Sequence, residues 1–100
     1  LQQWVLDNLH RPIGLAQMAG KACLSERHFR RIFTQRFGLS PSRYLEQLRL
    51  DRARSLLLCD GYNLDRVCQE CGFSGANSFG RLFKLRFGFT PMDYRTHFGG

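Results

Sequence analysis

Residues 28–44, HFRRIFTQRFGLSPSRY, and residues 78–94, SFGRLFKLRFGFTPMDY, are two copies of one pattern. Phe29/Phe79, Arg31/Arg81, Phe33/Phe83, Arg36/Arg86, Phe37/Phe87, Gly38/Gly88, Pro41/Pro91 and Tyr44/Tyr94 are identical pairs. The likeness continues upstream as LAQMAGKACLS (15–25) against LDRVCQECGFS (64–74), with one extra residue in the second copy before Phe79. One supersecondary unit therefore occurs twice. Each copy reads as a helix, a sharp turn, a second helix and an exit.

Local signals place the helices. Leu1, Trp4, Val5 and Leu9 recur at helical spacing, and His10-Arg11-Pro12 stops that segment. Leu15, Met18, Ala19 and Ala22 form a short amphipathic stripe. Ser25 is a good N-cap for a helix carrying Glu26 in its first turn. That helix ends at Gly38, a residue suited to the left-handed position past a helix C-terminus. Ser40-Pro41 and Thr90-Pro91 each supply an N-cap followed by proline at the first helical position. From Pro41 to about Leu58 there is no breaker, and Tyr44, Leu45, Leu48, Leu56 and Leu57 give an apolar side. At about 1.5 Å per residue this is a rod of roughly 27 Å, ending at Asp60-Gly61. Strand signals are nearly absent, so the expected fold is all-α with about seven helices. The 100 residues suffice for one compact unit, or for two very small ones sharing a core.

Two short helices joined by a tight turn need a small residue where they cross, which Ala19 supplies in the first copy and Cys68 in the second. Gly72 sits at the second turn, where positive φ costs glycine little. Cys23 stands there in the first copy and is expected to be accommodated at some strain. At about 100° per residue, the second helix of copy one turns Phe29, Ile32, Phe33 and Phe37 to one side and Arg27, Arg30, Arg31 and Thr34 to the other. In copy two, Phe79, Leu82, Phe83 and Phe87 are expected inward, and Asn77, Gly80, Arg81 and Lys84 outward. Arg36 and Arg86 fall toward the apolar side at the helix end and read as snorkelling or capping residues.

The net charge is +7, from thirteen arginines and two lysines against eight acids. Arginine in such excess suits a polyanion, because its planar fork matches phosphate and guanine. An outward arc of three arginines near a helix N-terminus has major-groove chemistry: arginine pairs with guanine N7/O6, and asparagine with adenine N6/N7. Double-stranded DNA is thus the expected partner. No nucleophile elbow, phosphate loop, zinc-protease motif or paired carboxylates occur, so no enzyme is expected. No apolar run approaches the roughly 18 residues that cross a bilayer, so no membrane partner is expected.

Across almost its whole length the chain resembles the DNA-binding domain of the AraC/XylS family of transcription regulators. The resemblance is carried by LSERHFRRIFTQRFGLSPSRYLEQLRLDRARSLL (24–57) and by CGFSGANSFGRLFKLRFGFTPMDYR (71–95), which is close to the family's signature. It implies a homeodomain-like arrangement: a first helix-turn-helix subdomain (1–39), a linker helix (40–60) and a second subdomain (61–100). The recognition helices, about 25–37 and 75–87, would enter successive major-groove segments. Carried over by position, base reading falls on Arg27, Arg30, Arg31, Asn77 and Arg81. Thr34, Arg43, Ala76, Gly80 and Lys84 would meet the DNA backbone or groove face. Ala76 and Gly80 stand where longer polar side chains are common in the family, so the second unit has fewer groups able to read bases. The resemblance further implies a bacterial, cytoplasmic, nucleoid-associated activator. RNA polymerase and an effector-sensing or dimerising domain of the same chain are its expected partners. The start Leu1-Gln2-Gln3-Trp4, with no initiator Met or signal segment, reads as a piece of a longer protein.

Cys68 and Cys71 have a CxxC spacing, for which packing, a metal and a thiol sensor are the readings. Packing is preferred: a closed zinc site needs two further ligands, and Cys23, Cys59, His10, His28 and His97 show no matching spacing. No cofactor or metal is expected, and four unpaired cysteines suit a reducing compartment. Duplex affinity is expected to fall ~10³–10⁵-fold between about 50 and 200 mM salt, the loss for about six to ten neutralised phosphates. Anisotropy titrations measure it, and a nearly flat salt dependence contradicts it.

Overall fold

A computed structural model describes residues 2–11 and 13–99, and their regular structure is wholly helical. The helices are α1 (Gln2–Asp7), α2 (Leu15–Lys21), α3 (Glu26–Phe37), α4 (Pro41–Leu57), α5 (Leu64–Glu70), α6 (Ala76–Phe87) and α7 (Pro91–Phe98). Leu1 and Pro12, assigned above to the first apolar stripe and its stop, lie outside the described residues.

The helix ends follow the sequence signals. Ser25 Oγ accepts from the His28 N–H at 3.2 Å, Ser40 Oγ from Arg43 at 3.3 Å and Thr90 Oγ1 from Asp93 at 3.1 Å. Gly38 and Gly88 end α3 and α6 in the left-handed conformation. The tight turns are built alike. In the first, Leu24 N–H donates to Ala19 O at 3.0 Å and Cys23 N–H to Gly20 O at 3.1 Å. In the second, Phe73 N–H donates to Cys68 O at 3.0 Å and Gly72 N–H to Gln69 O at 3.1 Å. Both are Schellman turns, which need one left-handed residue after the helix. Gly72 fills that place with φ 79°, and Cys23 with φ 58°.

The described residues divide into two compact units, the first ending at Leu48 and the second beginning at Arg49. Each has its own cluster of buried residues. In the first, Val5, Leu9, Met18, Ala19, Phe29, Phe33 and Leu45 are buried together. In the second they are Leu50, Ala53, Leu57, Val67, Cys68, Cys71, Phe79 and Phe83. The residues of α4 thus belong to two cores, Leu45 to the first and Leu50, Ala53 and Leu57 to the second. Ala19 and Cys68, the small crossing residues, are 1% and 6% exposed. Cys71 is the C-cap of α5 and not part of that helix.

Two expectations of inward placement need correction. Ile32 and Phe37 are exposed, and Leu82 and Phe87 only half-buried. All four sit about 60–80° off the Phe29 or Phe79 direction at helical pitch, so a core one helix deep buries only the centre of the arc. Arg86 lies over the Phe87 ring at 5.4 Å, and its head group finds a partner that the sequence reading did not include: Nη2 donates to Asp51 Oδ1 at 3.0 Å and to Oδ2 at 3.3 Å, tying α6 to α4 within the second unit.

A side chain in the left-handed region costs roughly 1–2 kcal/mol. Cys23→Gly is therefore expected to raise the unfolding free energy by about 1 kcal/mol, allowing for the extra freedom of glycine in the unfolded chain. Gly72→Ala is expected to lower it by about 1–2 kcal/mol. Urea titrations measure both, and a destabilised Cys23→Gly protein contradicts the strain.

Candidate nucleic-acid interface

The buried side of α3 is Phe29 and Phe33, 4% and 7% exposed, and that of α6 is Phe79 and Phe83, 2% and 0%. Anchoring on these residues leaves the opposite arc of each helix uncovered. Arg27, Arg30, Arg31 and Thr34 are all exposed on α3. On α6, Ala76, Asn77, Arg81 and Lys84 are exposed and Gly80 is half-buried. A Cβ added at Gly80 would have no heavy atom within 4 Å, so the surface there is open. Arg43 is exposed in the first turn of α4. Among the described residues none of Arg27, Arg30, Arg31 and Arg81 is held in an ion pair, unlike Arg86. Those four guanidinium groups keep their donors available to an anion.

The N-termini of the two helices differ. Ser25 caps α3 through its side chain and Glu26 lies in the first turn, whereas Gly75 precedes α6 with no side-chain cap and no acid follows. Beside the α3 cap, Ser25, Arg27, His28 and Arg31 line a hollow of about 320 Å³. His28 belongs to this basic surface and was not among the residues expected there. Its place at about 100° from Phe29, on the border of the outward arc, was the available signal.

The family described as "Helix-turn-helix domain" matches residues 18–97. A transcriptional regulator from Chromobacterium violaceum with an AraC-type DNA-binding domain superimposes with a TM-score of 0.89, at 30% identity over 96% of this chain and 86% of that one. The chain belongs to the AraC/XylS family of helix-turn-helix DNA-binding domains. The DNA-binding domain of AdpA, a global transcriptional factor crystallised with a target DNA, aligns with a TM-score of 0.91 and 30% identity, over 97% of this chain and 87% of that one. The HTH-type transcriptional activator RhaS of Salmonella arizonae is 35% identical over 95 residues, covering 95% of this chain. The chain spans about a third of the length of that relative, 34%. The AraC/XylS family is one of DNA-binding regulator domains and not of enzymes.

This AraC/XylS domain also carries braces that the sequence did not announce. Arg95 Nε donates to Leu57 O at 3.0 Å and its Nη2 to Tyr62 O, joining α7 to the end of α4 and the loop after it. Arg54 lies over the Phe87 ring at 4.7 Å. No helix among the described residues is long and apolar enough to cross a membrane.

Cys68 and Cys71 are buried, and the Cys68 thiol donates to Phe73 O at 3.6 Å. Among the described residues no three His, Cys, Asp or Glu side chains gather as metal ligands. Burial raises the pKa of both thiols, chiefly by desolvating the thiolate, and pushes Cys71 from 9.0 to about 11. A thiol whose pKa is raised by folding stabilises the fold below its unfolded pKa, and that stability is lost as pH rises through the folded value. Stability is therefore expected to decline between pH 9.0 and about 11, with the decline reduced in Cys71→Ala. Iodoacetamide at pH 8 is expected to alkylate the exposed Cys23 and Cys59 before Cys68 and Cys71. Modification of Cys71 in the folded protein as fast as Cys23 contradicts both.

Proposed function

We propose that this domain reads an operator as part of a transcription regulator, with α3 and α6 as recognition helices in successive major-groove segments of double-stranded DNA. The observation that carries the reading is the duplicated geometry: each helix is anchored by two buried phenylalanines and turns a basic arc to solvent. In this reading Arg27, Arg30, Arg31, Asn77 and Arg81 read bases. Thr34, Arg43, Ala76, Gly80 and Lys84 line the groove face or meet phosphates. Residues 1–39 and 61–100 act as the two reading subdomains, and 40–60 as the linker helix. Three arginines against one arginine and an asparagine make the first segment the more selective, since each good bidentate pair discriminates by about 1–3 kcal/mol.

The regulator as a whole would act in the cytoplasm on nucleoid DNA, its effector-sensing or dimerising domain supplied by the rest of the chain. RhaS is named a transcriptional activator. The same mode here would bring RNA polymerase beside the bound domain.

Selection from random duplexes by the purified domain, followed by footprinting, tests the reading. Arg31→Ala and Arg81→Ala are each expected to cost about 1–3 kcal/mol and to relax preference at particular base pairs. Equal weakening on every duplex would move that arginine to the phosphates. No preference among duplexes would remove the proposal.

A further inference from the structure

Leu85 is 76% exposed, more than any other exposed large apolar side chain described. A single exposed leucine is ordinary; its position on α6 is not. At about 100° per residue it lies roughly 40° from Arg81, one turn earlier, and roughly 20° from Ser78, two turns earlier. Phe79 and Phe83, which hold α6 to its core, are about 120° and 160° away. Leu85 thus shares the arc of the exposed Asn77, Ser78, Arg81 and Lys84. The corresponding residue of α3 is Gln35.

An apolar side chain among hydrogen-bonding ones has a specific counterpart in the major groove. The C5-methyl of thymine is the apolar feature that a base edge presents there. A protein partner would need a contiguous apolar patch, but Leu85 is bordered by Arg81, Lys84 and Arg86. We infer that Leu85 is a specificity residue of the second recognition helix, packing on the methyl group of a thymine in the segment that α6 reads. This rests on the reading of α6 as a recognition helix.

Deoxyuridine lacks only that methyl and tests the contact directly. In the duplex selected by the domain, each thymine of the α6 segment is replaced in turn by deoxyuridine, and affinity is measured for wild type and Leu85→Ala. One replacement is expected to weaken wild type about fourfold, the equivalent of ~0.8 kcal/mol for one buried methyl-sized group, and to leave Leu85→Ala unchanged. Thermal melting of Leu85→Ala, altered at an exposed position, is expected to match wild type. The inference is overturned if no thymine occurs in that segment, if wild type ignores every replacement, or if the penalty persists in Leu85→Ala. In each of these cases preference for the selected duplex still stands. A wild type with no preference among duplexes would instead remove the DNA-reading proposal, and this inference with it.

Discussion

The rotation of α3 and of α6, each about its own axis, is set by a ladder of aromatic rings, and what the helix presents follows from that rotation. In α3 the centroids of Phe29 and Phe33 are 5.6 Å apart and those of Phe33 and Phe37 4.5 Å, while Tyr44 meets Phe33 edge-on at 5.2 Å. In α6 the equivalent separations are 5.8 and 4.6 Å, and Tyr94 meets Phe83 edge-on at 5.6 Å. Such pairs add about 0.5–1.5 kcal/mol each beyond their burial. Spacing by four residues advances each ring about 40° around the helix. Two rings can therefore lie in the core, and the third leaves it. Phe37 at 46% exposure and the half-buried Phe87 are consequences of helical pitch.

How the third ring is covered differs between the units. Phe37 has Arg36 at 5.8 Å, whereas Phe87 lies between Arg54 at 4.7 Å and Arg86 at 5.4 Å, with Arg86 in turn held by Asp51. The side chains of Arg86 and Asp51 are 31% and 40% exposed, so their pair contributes little to stability, about 0–1 kcal/mol. Its consequence is geometric: the C-terminal end of α6 is fixed to α4. Arg95 acts similarly on the α4 terminus, where its Nε meets the carbonyl of Leu57, the last residue of that helix, and its Nη2 the carbonyl of Tyr62 in the loop beyond. The residue at the same place in the first copy is Leu45, buried in the core at 5% exposure. The second unit thus uses polar braces where the first uses apolar packing.

Signals local in the chain were legible in the sequence, and those depending on a second segment were not. Ser25, Ser40, Thr90, Gly38, Gly72 and Gly88 announced helix ends because capping involves neighbours within a few residues. The repeat placed Phe29, Phe33, Phe79 and Phe83 in the cores and the outward arginines at the surface. Hydrophobic periodicity overstated the buried arc at Ile32 and Phe37, since a helical wheel carries no information on core depth. The Arg86–Asp51 pair joins residues 35 apart, and Arg95 reaches Leu57 and Tyr62 across 38 and 33. Partners so distant leave no periodic trace. The change of core along α4 was hidden because Leu45, Leu50, Ala53 and Leu57 blend into one apolar pattern.

Because the ladder and the caps hold the frame, the outward arc is free to change without cost to the fold. The two copies retain Phe, Gly, Pro and Tyr at matching frame positions. At the outward positions Arg27 corresponds to Asn77, Arg30 to Gly80 and Thr34 to Lys84, and Arg31 and Arg81 are the identical pair there. Nothing in the cores requires that pair, since both arginines are exposed and neither is held in an ion pair among the described residues. In the proposed reading it supplies the contact common to both helices, and the differing neighbours tell the two DNA segments apart. A duplicated frame with unequal faces then favours a site with a direction, in which the arginine-rich helix can settle only at one end.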